Sequence, residues 1–239
     1  MVENYDETIA GHYAAYRPPL HREILERALS GRESKFPVGL DIGCGTGRSS
    51  IALADRCEQV FAIDPSQAML DLATPHPVVS YLRGGGEEIP LPGRSVNIVT
   101  LAGSLFYANR LQTADEIFRV CDSQAFIIPY DFTVRIDDAL HRFGIAVAES
   151  DTDYDPAVNF SGCDQFEELE SVRDQLEFDI RASDLAHVLL SDRARHDQFV
   201  DRYGKSAPHD RLTRELESME SAPSLFADIF YSVYRPLES

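Results

Sequence analysis

Apolar and polar positions along the first 130 residues follow two different spacings. Short apolar runs, such as VGLDI (38–42) and VNIVTLA (96–102), are typical of strands buried on both faces of a parallel sheet. Apolar residues three or four positions apart, as in residues 19–30, indicate helices with one buried face. The predicted strands are residues 38–42, 59–63, 78–82, 96–101 and 124–130, and the predicted helices are residues 19–30, 45–55, a short helix after 66, and 111–120. This alternation predicts a doubly wound α/β fold with a mostly parallel sheet and right-handed crossovers.

The pattern changes after Tyr130. The sequence there is acidic and irregular, and we predict a helical lid insertion in residues 135–175. Strand-like patches, LEFDI and HVLL, fall in residues 176–190, and helices are predicted in 192–203 and 207–219. FADIFYSVYR (226–235) has the composition of a last strand. We therefore expect one domain (1–239) made of an N-terminal cap segment (1–35), a ligand-binding core (36–134), the lid (135–175), and final strands and helices of the core (176–239).

The net charge limits the class of partner. The chain has 40 Asp and Glu residues against 22 Lys and Arg, which gives a formal net charge of −18. A surface this acidic repels nucleic-acid phosphates and anionic lipids, so we expect neither nucleic acid nor membrane as a partner. No apolar run is long enough to span a membrane, and the first residues lack a signal-peptide pattern, so we expect a cytoplasmic protein.

The four cysteines give no sign of a metal or disulfide framework. Cys44, Cys57, Cys121 and Cys163 are scattered, and none has a second cysteine or a histidine at the spacing of a zinc site. We expect four reduced thiols and no metal ion.

The stretch DIGCGTGR (41–48) carries the chemistry. It follows a predicted strand and opens a helix, and its glycines allow a sharp turn and close approach to a ligand. The third glycine comes one position too early for a dinucleotide fingerprint, and Asp41 places a carboxylate where it would repel a pyrophosphate. Asp64 ends the next strand, 19 residues beyond Gly45, where an acid can accept hydrogen bonds from both ribose hydroxyls. These residues predict a nucleoside ligand without phosphates and with positive charge nearby.

Three segments together resemble a known family. LDIGCGTG (40–47), AIDPSQAML (62–70) and GGGEEIPLPGRSVNIVTLAGSLFY (84–107) are similar to motifs of class I S-adenosylmethionine-dependent methyltransferases, of the type that includes ubiquinone/menaquinone-biosynthesis and trans-aconitate methyltransferases. The resemblance covers residues 1 to about 130 well. It implies a Rossmann-like, seven-stranded sheet and an enzyme that uses S-adenosyl-L-methionine as its cofactor.

The resemblance also implies roles for individual residues. Asp41 would lie near the methionine amino group of the cofactor, and Asp64 would hold the ribose hydroxyls. The glycines of the turn would line the methionine and ribose: Gly43, Gly45 and Gly47. The residues implied around the adenine are Pro65, Met69, Gly86 and Glu87, and the strand end that offers a backbone carbonyl near the amino group is Leu101 and Ala102.

The N-terminal segment YDETIAGHYAAYRPPL resembles the segment that folds over the cofactor in this family. It offers Tyr13, Tyr16 and Arg17, and an arginine is a sensible partner for the methionine carboxylate. The chain departs from the family pattern at two positions. Gly85 and Asn97 both stand where many members have aspartate, the first beside the adenine and the second within a strand.

Candidate catalytic residues follow the fourth and fifth predicted strands. Methyl transfer from a sulfonium is a direct displacement, for which the protein supplies alignment, desolvation and in some cases a base. The residues expected near the methyl group are Ser104, Phe106, Tyr107, Tyr130 and Asp131. Asp131, His141 or His187 could remove a proton from the acceptor. We take Asp131, Tyr107 and His187 as the catalytic candidates.

The acceptor is left open by the sequence. GSLF (103–106) replaces the [DN]-P-P-[YFW] signature of adenine-directed amino-methyltransferases, which with the charge favours a small-molecule acceptor. Oxygen, nitrogen and carbon are equally open as the methylated atom, and a monomer and a homodimer as the oligomeric state. The alternatives are a protein that binds S-adenosylmethionine or S-adenosylhomocysteine without catalysis and, less favoured, an NAD-dependent oxidoreductase.

Overall fold

The computed structural model of the protein describes residues 9, 11–12, 16, 18–32, 35–145, 153–204, 207–219 and 224–237. The strands in these residues are β1 (Phe36–Ile42), β2 (Cys57–Asp64), β3 (Val79–Arg83), β4 (Val96–Ala102), β5 (Cys121–Arg135), β6 (Phe166–Asp179) and β7 (Ser224–Pro236). The labelled helices are α1 (Leu20–Ala28), α2 (Arg48–Ala54), α3 (Gln67–Leu70), α4 (Arg110–Val120), α5 (Asp137–Arg142), α6 (Ala182–Leu190), α7 (Arg193–Tyr203) and α8 (Pro208–Glu217). A 3₁₀ helix spans Leu105–Tyr107.

The seven strands form one sheet in the order β3-β2-β1-β4-β5-β7-β6. Neighbouring strands from β3 through β5 are parallel, and the sheet contains one antiparallel hairpin. The strand order reverses between β1 and β4, which is the point where open α/β sheets bind ligands beyond the carboxyl ends of their strands. This topology confirms the predicted doubly wound, mostly parallel sheet.

The inner parallel strands are mostly buried on both faces, whereas the edge strand β3 has no fully buried residue. Leu40 in β1, Val60 in β2 and Ile98 and Val99 in β4 have no exposed surface. α1 packs its predicted face inward, because Leu20, Ile24, Leu25 and Leu29 are all buried. The continuous apolar runs of the sequence therefore correspond to strands covered on both sides by helices and loops.

Asn97 has a structural role at the amino ends of the strands. Its side-chain oxygen accepts a hydrogen bond from the backbone N–H of Val38 at 2.9 Å, and its Nδ2 donates to the carboxylate of Asp122. Asn97 thus connects β1, β4 and the start of β5 at the edge of the sheet opposite the glycine turn. An aspartate here would bring two carboxylates together, which explains why this chain has an amide.

The chain divides into two compact units. The sheet unit comprises Pro19–Thr133, Asp153–Asp174 and Ile229–Ser239, and the helical unit comprises Met1–Pro18, Val134–Thr152 and Gln175–Asp228. α5 to α8 belong to the helical unit, which has its own apolar core. Leu140, Leu189, Phe199 and Leu212 are fully buried members of that core.

Two secondary-structure predictions in the second half are wrong. Residues 135–175 are predicted to be helical, but in the described part of this span α5 is the one helix before β6 begins at Phe166. β6 is charged and largely exposed, so its sequence has no apolar run to reveal it. The patch HVLL is not a strand, because it forms the end of α6 and packs into the helical-unit core. In a short apolar run, periodicity alone cannot distinguish a strand from a buried helix.

Candidate active site

Asp41 lies beneath the turn that follows β1. Its carboxylate accepts hydrogen bonds from the hydroxyls of Ser49 and Ser50 at 2.6 Å and of Thr100 at 2.9 Å. Burial raises the pKa of Asp41, and the three hydroxyl donors oppose that rise. The carboxylate has no exposed surface. In this arrangement Asp41 connects the end of β1 to the start of α2 and to β4, rather than facing a ligand directly as the sequence suggested.

The three glycines of the turn face different surroundings. Gly43 (φ 71°) and Gly47 (φ 87°) are packed against the protein, because a Cβ on Gly43 would clash with Ser104 and one on Gly47 with the Tyr81 hydroxyl. Gly45 (φ 52°) is different, since a Cβ there would meet nothing within 4 Å. All three have the positive φ that glycine adopts readily. The open side of the turn is therefore at Gly45, where a ligand can approach the backbone closely.

Asp64 ends β2 beside that open side. One carboxylate oxygen accepts from the backbone N–H of Gly45 at 2.9 Å and the other from the N–H of Ser66 at 2.8 Å. Each oxygen of a carboxylate can accept a further hydrogen bond. Pro65 and Met69 follow on the exposed surface, with Met69 47% exposed. Asp64 thus holds the turn and keeps acceptor capacity for a ligand, next to an exposed apolar side chain.

The loop after β3 places Glu87 close to the missing aspartate position. A Cβ on Gly85 would lie 3.1 Å from Glu87 Oε2, so the Glu87 carboxylate occupies the space next to Gly85. Its other oxygen accepts from the N–H of Asn109 at 2.7 Å. Gly86 is buried, and a Cβ there would lie 2.9 Å from Thr113. Gly86 therefore allows the loop to pack against α4, whereas Glu87 is the polar side chain that the loop presents.

An ion pair in α4 fixes the far end of the same loop. Arg119 donates to the carbonyls of Ile89 and Leu91, both at 2.9 Å, and pairs with Glu116 at 2.7 Å. Glu116 also accepts from the N–H of Ile89 at 2.8 Å. Hydrogen bonding to Arg119 lowers the pKa of Glu116. The loop is thereby held at both ends by α4.

The segment after β4 is joined directly to the end of β1. The Ser104 hydroxyl donates to the carbonyl of Ile42 at 2.5 Å, and the N–H of Gly103 donates to the carbonyl of Tyr130 at 2.8 Å. The Leu101 side chain is buried in the core, so only its backbone can take the predicted role. These bonds place the residues after β4, together with Tyr130 of β5, beside the glycine turn.

Asp131 has a partner that sequence reasoning missed. The Tyr154 hydroxyl donates to the carboxylate of Asp131 and lies 3.4 Å from the Gly103 carbonyl. The N–H of Phe132 donates to the other oxygen of Asp131 at 2.8 Å. Burial, followed by the hydrogen bond to Asp131, raises the pKa of Tyr154, so this phenol stays protonated. Tyr154 lies in an irregular segment, where no periodicity marked it.

The rings of Phe106, Tyr107 and Tyr154 contact one another. Their centroids are 4.8 Å apart for Phe106 and Tyr154, 5.4 Å for Phe106 and Tyr107, and 5.9 Å for Tyr107 and Tyr154. Tyr107 is 79% exposed. Two of the catalytic candidates, Asp131 and Tyr107, are thus brought together through Tyr154.

Tyr130 does not have the surroundings of a base. It is buried, and its hydroxyl lies 3.1 Å from Nδ1 of His21. Burial raises the pKa of Tyr130 well above 10. We assign Tyr130 to packing and hydrogen bonding within the sheet unit.

The remaining described candidates belong to the helical unit. His187 lies in α6 of the helical unit, where its Nδ1 is 2.8 Å from Nδ1 of His12. His141 lies in α5, and Tyr16 packs against the helical-unit core. The two remaining N-terminal candidates lie outside the described residues: Tyr13 and Arg17.

The described part of the chain shows three further features. No group of three or more His, Cys, Asp or Glu side chains in it is arranged to hold a metal ion. Its helices include none that combines the length and the apolar character needed to cross a bilayer. All four cysteines are buried free thiols.

Comparison with known proteins finds similarity to methyltransferases in the central part of the chain. Residues 40–128 match a family described as a methyltransferase domain. An inferred methyltransferase of Dictyostelium discoideum is 29% identical over 43% of this chain and 39% of its own length. An uncharacterized methyltransferase of Mycobacterium bovis is 33% identical over 46% of this chain and 44% of its own length. The chain thus spans about two fifths of the length of these relatives.

A solved structure extends the similarity over nearly the whole chain. An inferred type II methyltransferase from Anaeromyxobacter dehalogenans matches with a TM-score of 0.66 and 21% identity, covering 94% of this chain and 100% of that one. At this identity the match shows a shared fold. The family match and the fold agree on residues that run from β1 to β5.

Proposed function

We propose that this chain, which belongs to the class I S-adenosylmethionine-dependent methyltransferase family, transfers a methyl group from S-adenosylmethionine to a small-molecule acceptor. The observation that carries the proposal is the turn after β1, whose Gly45 backbone faces open space while Asp64 borders it with acceptor capacity left. The net charge of −18 favours a small acceptor over a nucleic acid or an anionic lipid. We place this activity in the cytoplasm.

The residues around the turn fit the cofactor. Gly45 gives the close backbone approach that the methionine and ribose need, and Asp64 would accept hydrogen bonds from the ribose hydroxyls. Pro65 and Met69 would flank the adenine from the exposed surface after β2. Glu87 would take the polar role beside the adenine, since its carboxylate occupies the space at Gly85, where many members of the resembled family have aspartate.

The protein's contribution to the reaction is alignment and charge placement. S-adenosylmethionine, when bound, supplies an electrophilic methyl group on a sulfonium. Ser104 fixes the segment after β4 to the end of β1, so the acceptor side and the glycine turn share one edge of the sheet. Asp131 lies on that edge and can accept a proton from the acceptor, and the rings of Phe106, Tyr107 and Tyr154 contact one another beside it.

A cofactor titration with matched variants tests the ribose assignment. Asp64→Asn keeps the size of the side chain but replaces an acceptor oxygen with a donor, so we expect S-adenosylhomocysteine to bind more weakly by about 1–3 kcal/mol. The control is Glu58→Gln, an exposed acid early in the same strand, which should bind like the wild type. Thermal melting of each variant separates lost binding from lost folding. Unchanged affinity of a folded Asp64→Asn variant contradicts the ribose assignment.

A transfer assay tests the activity itself. Labelled S-adenosylmethionine incubated with small acids, phenols and amines should give a labelled product with at least one class. If the protein binds the cofactor tightly but labels none of them, the non-catalytic binding alternative replaces the transferase.

A further inference from the structure

Tyr81 in β3 contacts the glycine turn from within the sheet unit. In the parallel ladder of β2 and β3 it pairs with Ala62. A Cβ on Gly47 would lie 2.1 Å from the Tyr81 hydroxyl oxygen and 2.7 Å from the ring carbon that carries it. These distances are shorter than a van der Waals contact, so the phenol packs directly on the backbone of Gly47. The turn can lie this close to Tyr81 because residue 47 has no side chain.

The Tyr81 hydroxyl also holds the loop that follows α3. It donates to the backbone carbonyl of Thr74 at 2.8 Å. The N–H of Thr74 in turn donates to the carbonyl of Thr46 at 3.1 Å. Tyr81 therefore reaches the glycine turn twice, directly at Gly47 and through the Thr74 backbone at Thr46.

The same loop continues from α3, which carries an expected neighbour of the adenine. The N–H of Leu72 donates to the carbonyl of Met69 at 3.1 Å, and the N–H of Ala73 donates to the carbonyl of Leu70 at 3.0 Å. Successive hydrogen-bonded turns thus run from α3 to Thr74. The position of Met69 consequently depends on where Thr74 is held.

The Tyr81 hydroxyl keeps its proton. Burial, followed by the nearby Cys44 and Asp41, raises the pKa of Tyr81 to about 12. The phenol is therefore neutral near pH 7 and can donate to the Thr74 carbonyl, which a phenolate could not do. The half-buried side chain uses its ring against Gly47 and its hydroxyl on the loop.

The phenol supports the covered side of the turn. Gly47 packs against Tyr81, whereas a Cβ on Gly45 would meet nothing within 4 Å. Asp64 accepts from the Gly45 N–H at 2.9 Å on that open side. Tyr81 thus holds the backbone that a ligand would approach, without occupying the space next to Gly45.

We propose that Tyr81 is a positioning residue for cofactor binding, which holds the glycine turn and the loop after α3 together so that Gly45 and Met69 face one ligand. This inference rests on the proposed function, since it concerns the same cofactor site. It adds a side chain of β3 that acts through the turn and the loop. Loss of this one hydroxyl should therefore lower the affinity for the cofactor.

Titration of the intact chain with S-adenosylhomocysteine tests this role. Tyr81→Phe keeps the ring against Gly47 but removes the hydrogen bond to Thr74, so we expect about three- to tenfold weaker binding. Tyr81→Ala removes the ring as well and should bind more weakly than Tyr81→Phe. Calorimetry gives each affinity, and urea unfolding shows whether each variant is folded under the conditions of the titration.

The matched control removes a tyrosine hydroxyl elsewhere in the sheet unit. The Tyr234 hydroxyl in β7 donates to the carboxylate of Glu168 at 2.7 Å. Tyr234→Phe also loses one hydrogen bond and should lose stability, yet it should bind S-adenosylhomocysteine like the wild type. A general loosening of the fold would weaken binding in both variants, so the difference between Tyr81→Phe and Tyr234→Phe isolates the positioning role.

Amide exchange followed by NMR tests the step between the phenol and the turn. The Thr74 N–H is bonded to the Thr46 carbonyl, and Tyr81 holds the same residue by its carbonyl. We expect the Thr74 amide to exchange faster in Tyr81→Phe than in the wild type, because the loop opens more often. In Tyr234→Phe this amide should exchange at the wild-type rate.

Three results overturn the proposal. They are wild-type affinity in folded Tyr81→Phe, an equal loss of affinity in Tyr234→Phe, and an unchanged exchange rate at Thr74 in Tyr81→Phe. If Tyr81→Ala does not fold, the two phenylalanine variants still decide. A wild-type chain that binds no S-adenosylhomocysteine contradicts the proposed function and this inference with it. A chain that binds it equally well with and without the Tyr81 hydroxyl loses the positioning role alone.

Discussion

The three glycines of the sequence motif have different roles in the structure. Gly43 and Gly47 are needed because the protein packs against them, whereas Gly45 leaves space on the ligand side. The motif alone could predict the turn but not which glycine faces the ligand. Tyr154 could not be predicted at all, since its contact with Asp131 joins a residue of β5 to an irregular segment that carries no periodic signal.

The glycines provide a contrast that mutation can test. Gly45→Ala should cost only about 1 kcal/mol of stability, from its positive φ, yet weaken cofactor binding at least about tenfold because the methyl group enters the ligand space. Gly47→Ala should cost about 2 kcal/mol or more, because its methyl group clashes with Tyr81. Urea unfolding and cofactor titration measure the two effects. Wild-type affinity in Gly45→Ala contradicts the placement of the ligand.

Asn97 gives a second prediction at this scale. Asn97→Asp replaces the donor to Asp122 with a second carboxylate, so we expect a loss of about 1–3 kcal/mol at pH 7. Carboxyl groups take up protons near pH 4, so the difference from the wild type should shrink as the pH falls to about 3. Urea unfolding at both pH values measures this. A difference that does not change with pH means that charge repulsion is not the cause.

At the scale of elements, prediction succeeded where burial leaves a pattern. β1, β2, β4 and the middle of β5 are mostly buried, so their apolar runs marked them, and α7 and α8 showed helical spacing. The prediction of β6 failed because an exposed edge strand rich in charged residues resembles a polar helix or loop in sequence. The prediction for α6 failed for the opposite reason, because the apolar sequence of its buried end is typical of a strand.

The helices of the helical unit bring four histidines together. The His187 and His209 rings have centroids 4.0 Å apart, and His12 has centroids 5.1 Å from His187 and 6.2 Å from His196. Burial and the neighbouring histidines lower the pKa of His12 to about 4 and also lower that of His187. The acidic groups that face this set are Asp184, Asp197 and Asp210.

The lowered pKa values predict the sign of a pH effect on stability. As the pH falls below about 6.5, the unfolded chain binds protons that the folded histidines do not, so stability should fall between about pH 6.5 and 4. His187→Gln should make this fall smaller, and His141→Gln, an exposed histidine of the same unit, should leave it unchanged. Unfolding followed across this pH range measures the slope. Equal slopes for His187→Gln and the wild type contradict the explanation.

At the scale of the whole molecule, the sheet unit and the helical unit differ in how far the family match covers them. Residues 40–128 lie within the sheet unit, where motif, topology and strand ends agree. The helical unit draws on segments outside that match, and the curated relatives align over less than half of the chain. Sequence could therefore predict the sheet and the glycine turn, while the contact between Asp131 and Tyr154 came only from the structure.

The most direct test of the account is a calorimetric titration of the intact chain with S-adenosylmethionine and, separately, with NAD. The open Gly45 side, Asp64 and the early third glycine predict one S-adenosylmethionine per chain and no measurable binding of NAD. Binding of NAD as tight as that of S-adenosylmethionine, or binding of neither, would contradict the central claim.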